Sequence, residues 1–294
     1  MNFAQLKFVK ATASLESFTK AADYCHVTQP TLSNGISKLE EQLGGKLFER
    51  TTRTVKLTSF GETMLPTMTS ILNLEEMLYL QASDFANPDT RVFKIGMSPL
   101  LNTKFVALLT NSYKDQNSGI EIVLMEDSLI DLEEKLKNRE LDVIFVPITN
   151  KKSYKNSMPL YEEELFFISN KSSGEQVQVK DIRDNTFVMV PDACGLSEIT
   201  RSLLRSTRNE VKEYEGKALS CQVLADWASN GLGSAILPKS KLESHISRHQ
   251  VYSASKPSKI VFQARWEADD NASLNKMLQY FKKNISGIAK GIAL

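Results

Sequence analysis

The stretch that decides the fold is SFTKAADYCHVTQPTLSNGISKLEEQLGGKLFERTTRTVKLTSFGE, residues 17–62. Two short helical patterns joined by a tight turn are followed here by two short strand-like runs. The second helical pattern follows a predicted cap at Thr28, and its aliphatic residues, from Leu32 to Leu43, recur at helical spacing. Gly44 and Gly45 end this pattern. The order of elements predicts a helix-turn-helix followed by a small hairpin, or wing.

The opposite face of the second helix is short and polar. Gln29, Ser33, Asn34 and Ser37 lie away from the aliphatic stripe, and side-chain amides such as those of Gln29 and Asn34 can pair with adenine. Basic residues suited to phosphate contacts surround this helix and the wing: Lys20, Lys38, Lys46, Arg50, Arg53 and Lys56. These features indicate a DNA-reading head. A small helical domain for protein contacts is the alternative.

The charge distribution favours the first of these interpretations. Residues 1–58 hold eight Lys and Arg against five Asp and Glu, which gives 8 − 5 = +3. The whole chain has a net charge of +1, so the remainder carries 1 − 3 = −2. A near-neutral total argues against a polybasic protein, yet it hides a basic excess at the N-terminal end.

Residues 58–84 form the longest helical pattern, which opens with two possible caps, Thr58 and Ser59, and Ser59 with Glu62 fits a capping box. Its apolar stripe comprises Met64, Met68, Ile71, Leu74 and Leu78. A long helix outside a compact core must bury such a stripe, and a second copy of the chain is the simplest partner. Pro66 is expected to kink the helix.

From residue 91 onward, apolar strand-like runs alternate with amphipathic helical patterns. The helices are predicted at 102–117, 129–139, 196–207, 218–230 and 273–286. This alternation is typical of α/β domains with mostly parallel sheets. About 200 residues exceed what one sheet needs, so we expect two α/β lobes with a ligand cleft between them.

Composition excludes several classes of protein. Three cysteines among 294 residues cannot build a disulfide framework. No apolar run reaches a membrane-spanning length and no signal peptide is evident, so we expect a cytoplasmic protein without membrane contact. His245 and His249 have helical i, i+4 spacing but lack a third metal ligand. Without a catalytic triad or a glycine-rich phosphate loop, we expect neither an enzyme nor a cofactor.

The motifs SFT-AA, TQP-LS, I-LE-LG, LFER and LT-G occur in order within residues 17–62, which therefore resemble the LysR-type transcriptional regulators. Weaker landmarks of the same family are LDVIF at 141–145 and ASNGLGSAILP at 228–238. The resemblance implies a winged helix-turn-helix over 1–58, a linker and dimerisation helix over 59–88 and an effector-binding domain over 89–294. Its two lobes, like those of type II periplasmic binding proteins, are expected at about 91–161 plus 266–294 and at about 162–265.

The resemblance also implies partners and contact residues. Such regulators are usually homotetramers, dimers of dimers, that bind double-stranded promoter DNA, a small-molecule effector and RNA polymerase. By matching positions, the DNA-binding residues are Gln29, Pro30, Thr31, Ser33, Asn34, Lys38, Arg50 and Arg53. Two residues depart from the family pattern: Cys25 stands where leucine is usual, and Asn34 replaces an Arg or Gln. Gly35 lies inside the recognition helix, where it would permit a closer approach to DNA.

In the family fold the effector lies against strand ends and helix N-termini. The matching residues are Ser98, Pro99, Leu100, Ser128, Pro147, Ala193 and Cys194. Ser98 and Ser128 are equally interpretable as ordinary helix caps. Apolar residues at 145–147, where some relatives place an arginine, favour an apolar or aromatic effector, or none.

Cys194 raises a second hypothesis, a thiol-based redox switch. Peroxide-sensing relatives carry a reactive cysteine near this position and pair it with another nine residues later, where this chain has Leu203. Cys221 is the other cysteine of the domain. A third hypothesis is a ligand-binding protein without a regulatory role.

Overall fold

The computed structural model describes residues 1–50, 55–86, 91–149, 154–171, 174–205, 210–267 and 271–292. The chain forms two compact units, Met1–Ala86 and Asn87–Leu294, each of which is described by itself. Among the described residues, no helix is both long and apolar enough to cross a membrane.

The first unit contains four helices and a two-stranded hairpin. In chain order these are α1 (Phe3–Leu15), α2 (Phe18–Tyr24), α3 (Gln29–Leu43), β1 (Phe48–Arg50), β2 (Val55–Leu57) and α4 (Ser59–Ala86). The strands pair antiparallel, with Phe48 opposite Leu57. Ser17 and Thr28 cap α2 and α3 through their side chains, as predicted. The predicted helix-turn-helix and wing are therefore confirmed as elements of this unit.

Gly35 faces the inside of this unit. A Cβ atom added at Gly35 would lie 2.9 Å from Cδ2 of Phe8, a buried residue of α1. The glycine therefore lets α1 and α3 pack closely. The expectation that Gly35 serves a closer approach to DNA is wrong, because the position faces Phe8.

Helix α4 begins after Thr58, whose Oγ1 accepts the N–H of Gly61 at 2.9 Å. Of the two predicted caps, Thr58 and Ser59, it is therefore Thr58 that caps the helix. The helix continues through Pro66. Its predicted apolar stripe is divided: Met68 is buried, whereas Leu74 and Leu78 are 52% and 64% exposed.

The second unit contains eleven strands and six helices in its described part. The strands are β3 (Arg91–Met97), β4 (Ile120–Glu126), β5 (Val143–Pro147), β6 (Ser157–Ile168), β7 (Gln176–Gln178), β8 (Thr186–Met189), β9 (Lys212–Lys217), β10 (Ala235–Pro238), β11 (His249–Ser253), β12 (Lys256–Pro257) and β13 (Lys259–Arg265). The helices are α5 (Thr103–Gln116), α6 (Leu129–Lys137), α7 (Val179–Ile182), α8 (Leu196–Leu204), α9 (Cys221–Ser229) and α10 (Ala272–Gly291). All five helices predicted for this region are present.

The long strand β6 runs through both halves of this unit. Its residues 157–164 pair with β13, and its residues 165–168 pair with β10. We define lobe one as β3–β5, β13, the first part of β6 and helices α5, α6 and α10. Lobe two comprises the last part of β6, β7–β12 and helices α7–α9. The predicted boundaries assigned 259–265 to lobe two, whereas β13 pairs with β5 in lobe one.

The sheets are mixed rather than mostly parallel. In lobe one, β3 is parallel to β4 and β5, while β13 runs antiparallel to β5 and β6. In lobe two, β8 and β9 are parallel, and β10 and β11 pair antiparallel with β6. The sheet of lobe one is mixed because β13 returns antiparallel to β5 and β6. The sequence did not predict this, since the direction of a strand is not evident from its composition.

The two histidines do not share a helix. His249 lies on β11, where it is buried and its Nδ1 contacts the carbonyl oxygen of Gly174. His245 is exposed, with its Nδ1 3.3 Å from a carboxylate oxygen of Glu243. Within the described ranges, no group of three or more His, Cys, Asp or Glu side chains is placed to hold a metal ion.

Candidate nucleic-acid interface and ligand cleft

Helix α3 has one buried face and one open polar face. Leu32, Ile36 and Leu39 are fully buried in the core of the first unit. The predicted DNA-binding residues that are exposed on this helix are Gln29, Pro30, Thr31, Asn34 and Lys38, while Ser33 is half-buried. The helix therefore presents short polar side chains and a cation to solvent on a rigid support.

The turn before α3 restrains one of these residues. The hydroxyl of Thr31 lies 2.8 Å from the hydroxyl of Thr28, which also accepts the backbone N–H of Thr31 at 3.4 Å. Two further DNA-binding residues are predicted at the wing. Arg50 is the last residue of β1, and Arg53 lies outside the described residues.

Glu40 fixes the start of the wing to the recognition helix. Its carboxylate is 3% exposed and accepts the backbone N–H groups of Leu47 at 2.9 Å and Phe48 at 3.4 Å. Lys46 donates to the other carboxylate oxygen at 2.9 Å. A buried carboxylate needs such donors, so this contact sets where β1 leaves α3.

Glu40 has no role predicted from the sequence, although the residue is part of the I-LE-LG motif. The available signal was its position, because Glu40 follows Ile36 by four residues and so shares the buried face of α3. A charged residue on such a face requires a partner inside the fold.

The loop after β3 contains three predicted effector residues, most of which are enclosed. Ser98 and Leu100 are fully buried, and Pro99 is half-buried. The N–H of Ser98 donates to the carbonyl of Phe145 at 2.9 Å, and its Oγ accepts the N–H of Leu100 at 3.3 Å. The hydroxyl of Ser98 therefore stabilises the loop itself.

Ser128 acts as a helix cap. Its Oγ accepts the N–H of Asp131 at 3.1 Å and donates to the Asp131 carboxylate at 2.5 Å. The capping interpretation therefore holds for Ser128 in this structure, while a ligand contact stays a prediction.

The two lobes approach each other closely at Gly195. A Cβ atom added there would lie 2.6 Å from Leu129 Cδ1, 3.0 Å from Thr149 Cγ2 and 3.3 Å from Pro147 Cγ. Because Gly195 also has a φ of +84°, a larger residue at this position would be both strained and crowded. Gly195 therefore allows lobe two to pack against the end of β5.

Beside this contact lies a cleft of about 400 Å³, to which both lobes contribute. Pro147 and Ala193, two of the predicted effector residues, are among its lining residues. Val146, from the apolar run 145–147, also lines the cleft, and the apolar lining residues that the sequence did not single out are Leu129, Ile130, Ile148 and Tyr154. The volume suits a small ligand.

Two charged groups of the cleft, Arg265 and Asp192, have partners of opposite charge. Arg265 of β13 donates to Glu133 at 2.7 Å, and its guanidinium carbon lies 3.4 Å from the centre of the Tyr154 ring. Asp192 accepts from Arg201 at 2.7 Å, and this hydrogen bond lowers the pKa of Asp192. Arg265 was not predicted as a site residue, because a cation near the end of a strand has no local signature.

The three thiols are half-buried, and burial raises the pKa of each one. The pKa of Cys221 is raised to about 11, first by burial and also by the nearby Cys194, against a lowering effect of Lys241. Both thiols of the second unit are therefore protonated at neutral pH, which disfavours reaction with an oxidant. Cys25 packs against the core of the first unit, as expected for a small apolar residue.

Comparisons with known proteins agree with this architecture. Residues 3–62 match the bacterial regulatory helix-turn-helix protein, lysR family, and residues 86–277 match the LysR substrate binding domain. The chain is 26% identical over 246 residues to the uncharacterized HTH-type transcriptional regulator YybE of Bacillus subtilis (strain 168), covering 82% of this chain and 84% of YybE.

A second relative is the DNA-binding transcriptional dual regulator OxyR of Escherichia coli (strain K12). It is 26% identical over 243 residues, which cover 81% of this chain and 79% of OxyR. Among solved structures, CbnR, a LysR family transcriptional regulator, gives a TM-score of 0.73 at 18% identity, over 97% of this chain and 99% of CbnR. At that identity the likeness shows the fold.

The resemblance found in the sequence is thus confirmed, because the two matched regions together cover most of the chain. The helix-turn-helix and the substrate-binding domain occur in the order expected from residues 17–62 and 141–238. The chain belongs to the LysR family of DNA-binding transcriptional regulators.

Proposed function

We propose that the chain reads specific promoter sequences with α3 placed in the major groove. The observation that supports this most directly is the open polar face of α3 opposite the buried Leu32, Ile36 and Leu39. Gln29 and Asn34 are exposed and carry the amides suited to adenine. Pro30, Thr31 and Ser33 would contact the same groove.

Cationic residues would hold the head on the phosphate backbone. Lys38 is exposed on α3, Arg50 ends β1, and we place Arg53 beside the wing by its match to the family motif. A CbnR structure complexed with target DNA gives a TM-score of 0.71 to this chain at 18% identity. That complex supports a fold able to bind DNA.

We further propose self-association through α4 into dimers and then tetramers. Leu74 and Leu78, which continue the apolar stripe, and Tyr79 are exposed on the second half of α4. A groove of about 830 Å³ lies between α1, the residues around Cys25 and α4, and Tyr79 is among its lining residues. An exposed apolar surface of this kind is typical of an interface.

The effector would be a small, mainly apolar or aromatic molecule held between the lobes. The lining combines apolar and polar side chains, and the pairing of Arg265 with Glu133 and of Asp192 with Arg201 favours such a ligand over a highly charged one. Pro147 and Ala193 would contact it directly. We expect Ser98, Leu100, Ser128 and Cys194 to shape the site, with Pro99 as the more accessible residue of its loop.

The regulatory role also predicts where the protein acts, one further partner and the lack of catalysis. A regulator of promoters would act in the cytoplasm, contact RNA polymerase and need no catalytic activity. The redox hypothesis for Cys194 is weaker, because burial raises the pKa of both nearby thiols and Leu203 replaces the second cysteine.

Footprinting on the intergenic DNA beside the gene tests the proposal. We expect the purified full-length chain to protect a specific site, and native mass spectrometry of the same sample to detect any retained small molecule. Protection of all sequences alike would contradict specific regulation and would favour a ligand-binding protein without that role.

A further inference from the structure

A lysine connects the two lobes at the loop that precedes α5. Lys241 ends the short 3₁₀ turn Lys239–Lys241, which follows β10 in lobe two. Its Nζ donates to the carbonyl oxygen of Leu101 in lobe one, at 2.7 Å. The side chain is half-buried, and placing an ammonium group there is costly unless its hydrogen bonds are made. The bond to Leu101 therefore satisfies one donor of a partly buried ammonium group.

Side chains of strand β6 bond to the residues next to both partners of this contact. The hydroxyl of Tyr161 accepts the N–H of Asn102 at 2.7 Å, next to Leu101. The carboxylate of Glu163 accepts the backbone N–H of Ser240, and it lies 3.1 Å from the Ser240 hydroxyl. Tyr161 and Glu163 are two residues apart, so they share one side of the strand.

These bonds form a closed path through both lobes and β6, which we name the lobe clasp. The lobe clasp consists of Leu101, Asn102, Tyr161, Glu163, Ser240 and Lys241. Lobe one and lobe two are joined covalently through β6 and through the short connection between β12 and β13. The hydrogen bond from Lys241 adds a noncovalent link beside the bonds of Glu163 to Ser240, and such added links restrict rotation of one lobe against the other.

The lobe clasp is continuous with the predicted effector loop. The N–H of Leu101 donates to the carbonyl of Ser98 at 3.1 Å, and Ser98 Oγ accepts the N–H of Leu100 at 3.3 Å. Movement of this loop therefore moves the carbonyl that Lys241 holds. Burial lowers the pKa of Lys241, whereas Cys221, Glu126 and Glu163 oppose this shift.

We propose that Lys241 is a positioning residue that couples the effector loop of lobe one, residues 98–101, to lobe two. A ligand that displaces this loop stretches or breaks the bond from Lys241 to Leu101, and the lobes then change their angle. The proposal rests on the proposed function, in which a ligand between the lobes alters DNA binding. It adds the contact through which the loop acts.

Hydrogen–deuterium exchange of the free full-length protein tests the link without DNA or ligand. The variant Lys241→Met keeps the length of the side chain and removes the donor. Lys239→Met is the matched control, because Lys239 is exposed in the same turn. We expect exchange at Leu101, Asn102 and Ser240 to be roughly tenfold faster in Lys241→Met, near wild type in the control, and partly restored in Lys241→Arg.

Equal exchange in Lys241→Met and Lys239→Met would overturn the proposal. If Lys241→Met is globally unfolded, faster exchange throughout α10 will show it, and Ser240→Ala then tests the clasp by removing one bond to Glu163. A second measurement separates positioning from local packing. On DNA that the wild type protects, Lys241→Met is expected to retain specific binding with a footprint of altered length, and an unchanged footprint would contradict the coupling.

Failure of the proposed function gives a different result. In that case the wild-type protein itself produces no specific footprint, while the exchange experiment still decides whether Lys241 links the lobes.

Discussion

The recognition helix and the loop after β3 both place short polar side chains at the start of a helix, but only the helix leaves them open to solvent. Gln29 and Asn34 are exposed on α3, whereas Ser98 is fully buried and its hydroxyl bonds within its own loop. The first region therefore presents an exposed polar surface, as the proposed DNA contact requires. The second region supports the fold internally, and on our proposal it would act on a ligand only through its neighbours.

The difference has a physical origin. One face of α3 packs on α1 and α2, and helical periodicity alone leaves the opposite face free. The loop after β3 is enclosed by β5, through Phe145, and by lobe two, through Lys241. In the head, helical periodicity thus determines which side chains are exposed. In the effector domain, segments that are distant in the sequence determine it.

The largest expected effect is the dependence of DNA affinity on salt. If the basic head binds the phosphate backbone, about eight phosphate contacts per dimer give a log–log slope near −7, or about four decades of affinity between 50 and 200 mM salt. Titrations at four salt concentrations measure the slope. A slope close to zero would show that the exposed face does not act as a DNA-binding surface.

Removing the carboxylate of Glu40 is expected to have the next largest effect. Glu40→Ala leaves the N–H groups of Leu47 and Phe48 without their charged acceptor, at a cost of about 3 kcal/mol. Thermal unfolding and DNA affinity should both fall, the latter more than roughly tenfold because the wing loses its anchor. Glu41→Ala is the control, since Glu41 is exposed. Similar losses in both variants would argue against a specific role of Glu40.

Replacing a helical glycine by alanine is expected to change stability differently in the head and in the effector domain. Gly35→Ala gains about 1 kcal/mol of helix propensity but places a methyl group 2.9 Å from Phe8, which costs about 1–3 kcal/mol. Gly287→Ala in α10 meets nothing within 4 Å and should stabilise by about 1 kcal/mol. Denaturation curves measure both changes. Stabilisation by Gly35→Ala would contradict the close packing of α1 on α3.

The smallest expected effect concerns the thiols of the effector domain. Because burial raises the pKa of Cys221 to about 11, only about one thiol in a thousand is ionised at pH 8. Alkylation should therefore be slow at pH 8 and should accelerate about tenfold per pH unit towards pH 11. Cys194→Ser should leave peroxide-dependent expression unchanged. Rapid labelling at pH 7, or loss of a peroxide response, would restore the redox hypothesis.

The sequence predicted the head well because its signals are local. Caps at Ser17 and Thr28, the stripe from Leu32 to Leu39 and the glycines after α3 all act within a few residues. Gln29 and Asn34 followed from that periodicity, whereas Pro30 and Thr31 were predicted by their match to the family motif. The reason for Gly35 did not, because it depends on Phe8 in another helix.

The effector domain was predictable in class but not in detail. Alternating strands and helices indicated two α/β lobes, yet the direction of β13 and the burial of Ser98 depend on pairing partners far away in sequence. Lys241 and Arg265 have no local sequence pattern that marks them. Their placement against Leu101 and Glu133 requires the folded chain.

Selection from a random pool of duplex DNA tests the central claim, that the open face of α3 reads base sequence, most directly. The full-length chain is expected to enrich a two-fold symmetric site, and Asn34→Ala should lose preference at particular bases by about 1–3 kcal/mol each while still binding DNA. Lys38→Ala should weaken all sequences alike. If the wild type enriches no site, or if Asn34→Ala and wild type enrich the same site equally well, the account is contradicted.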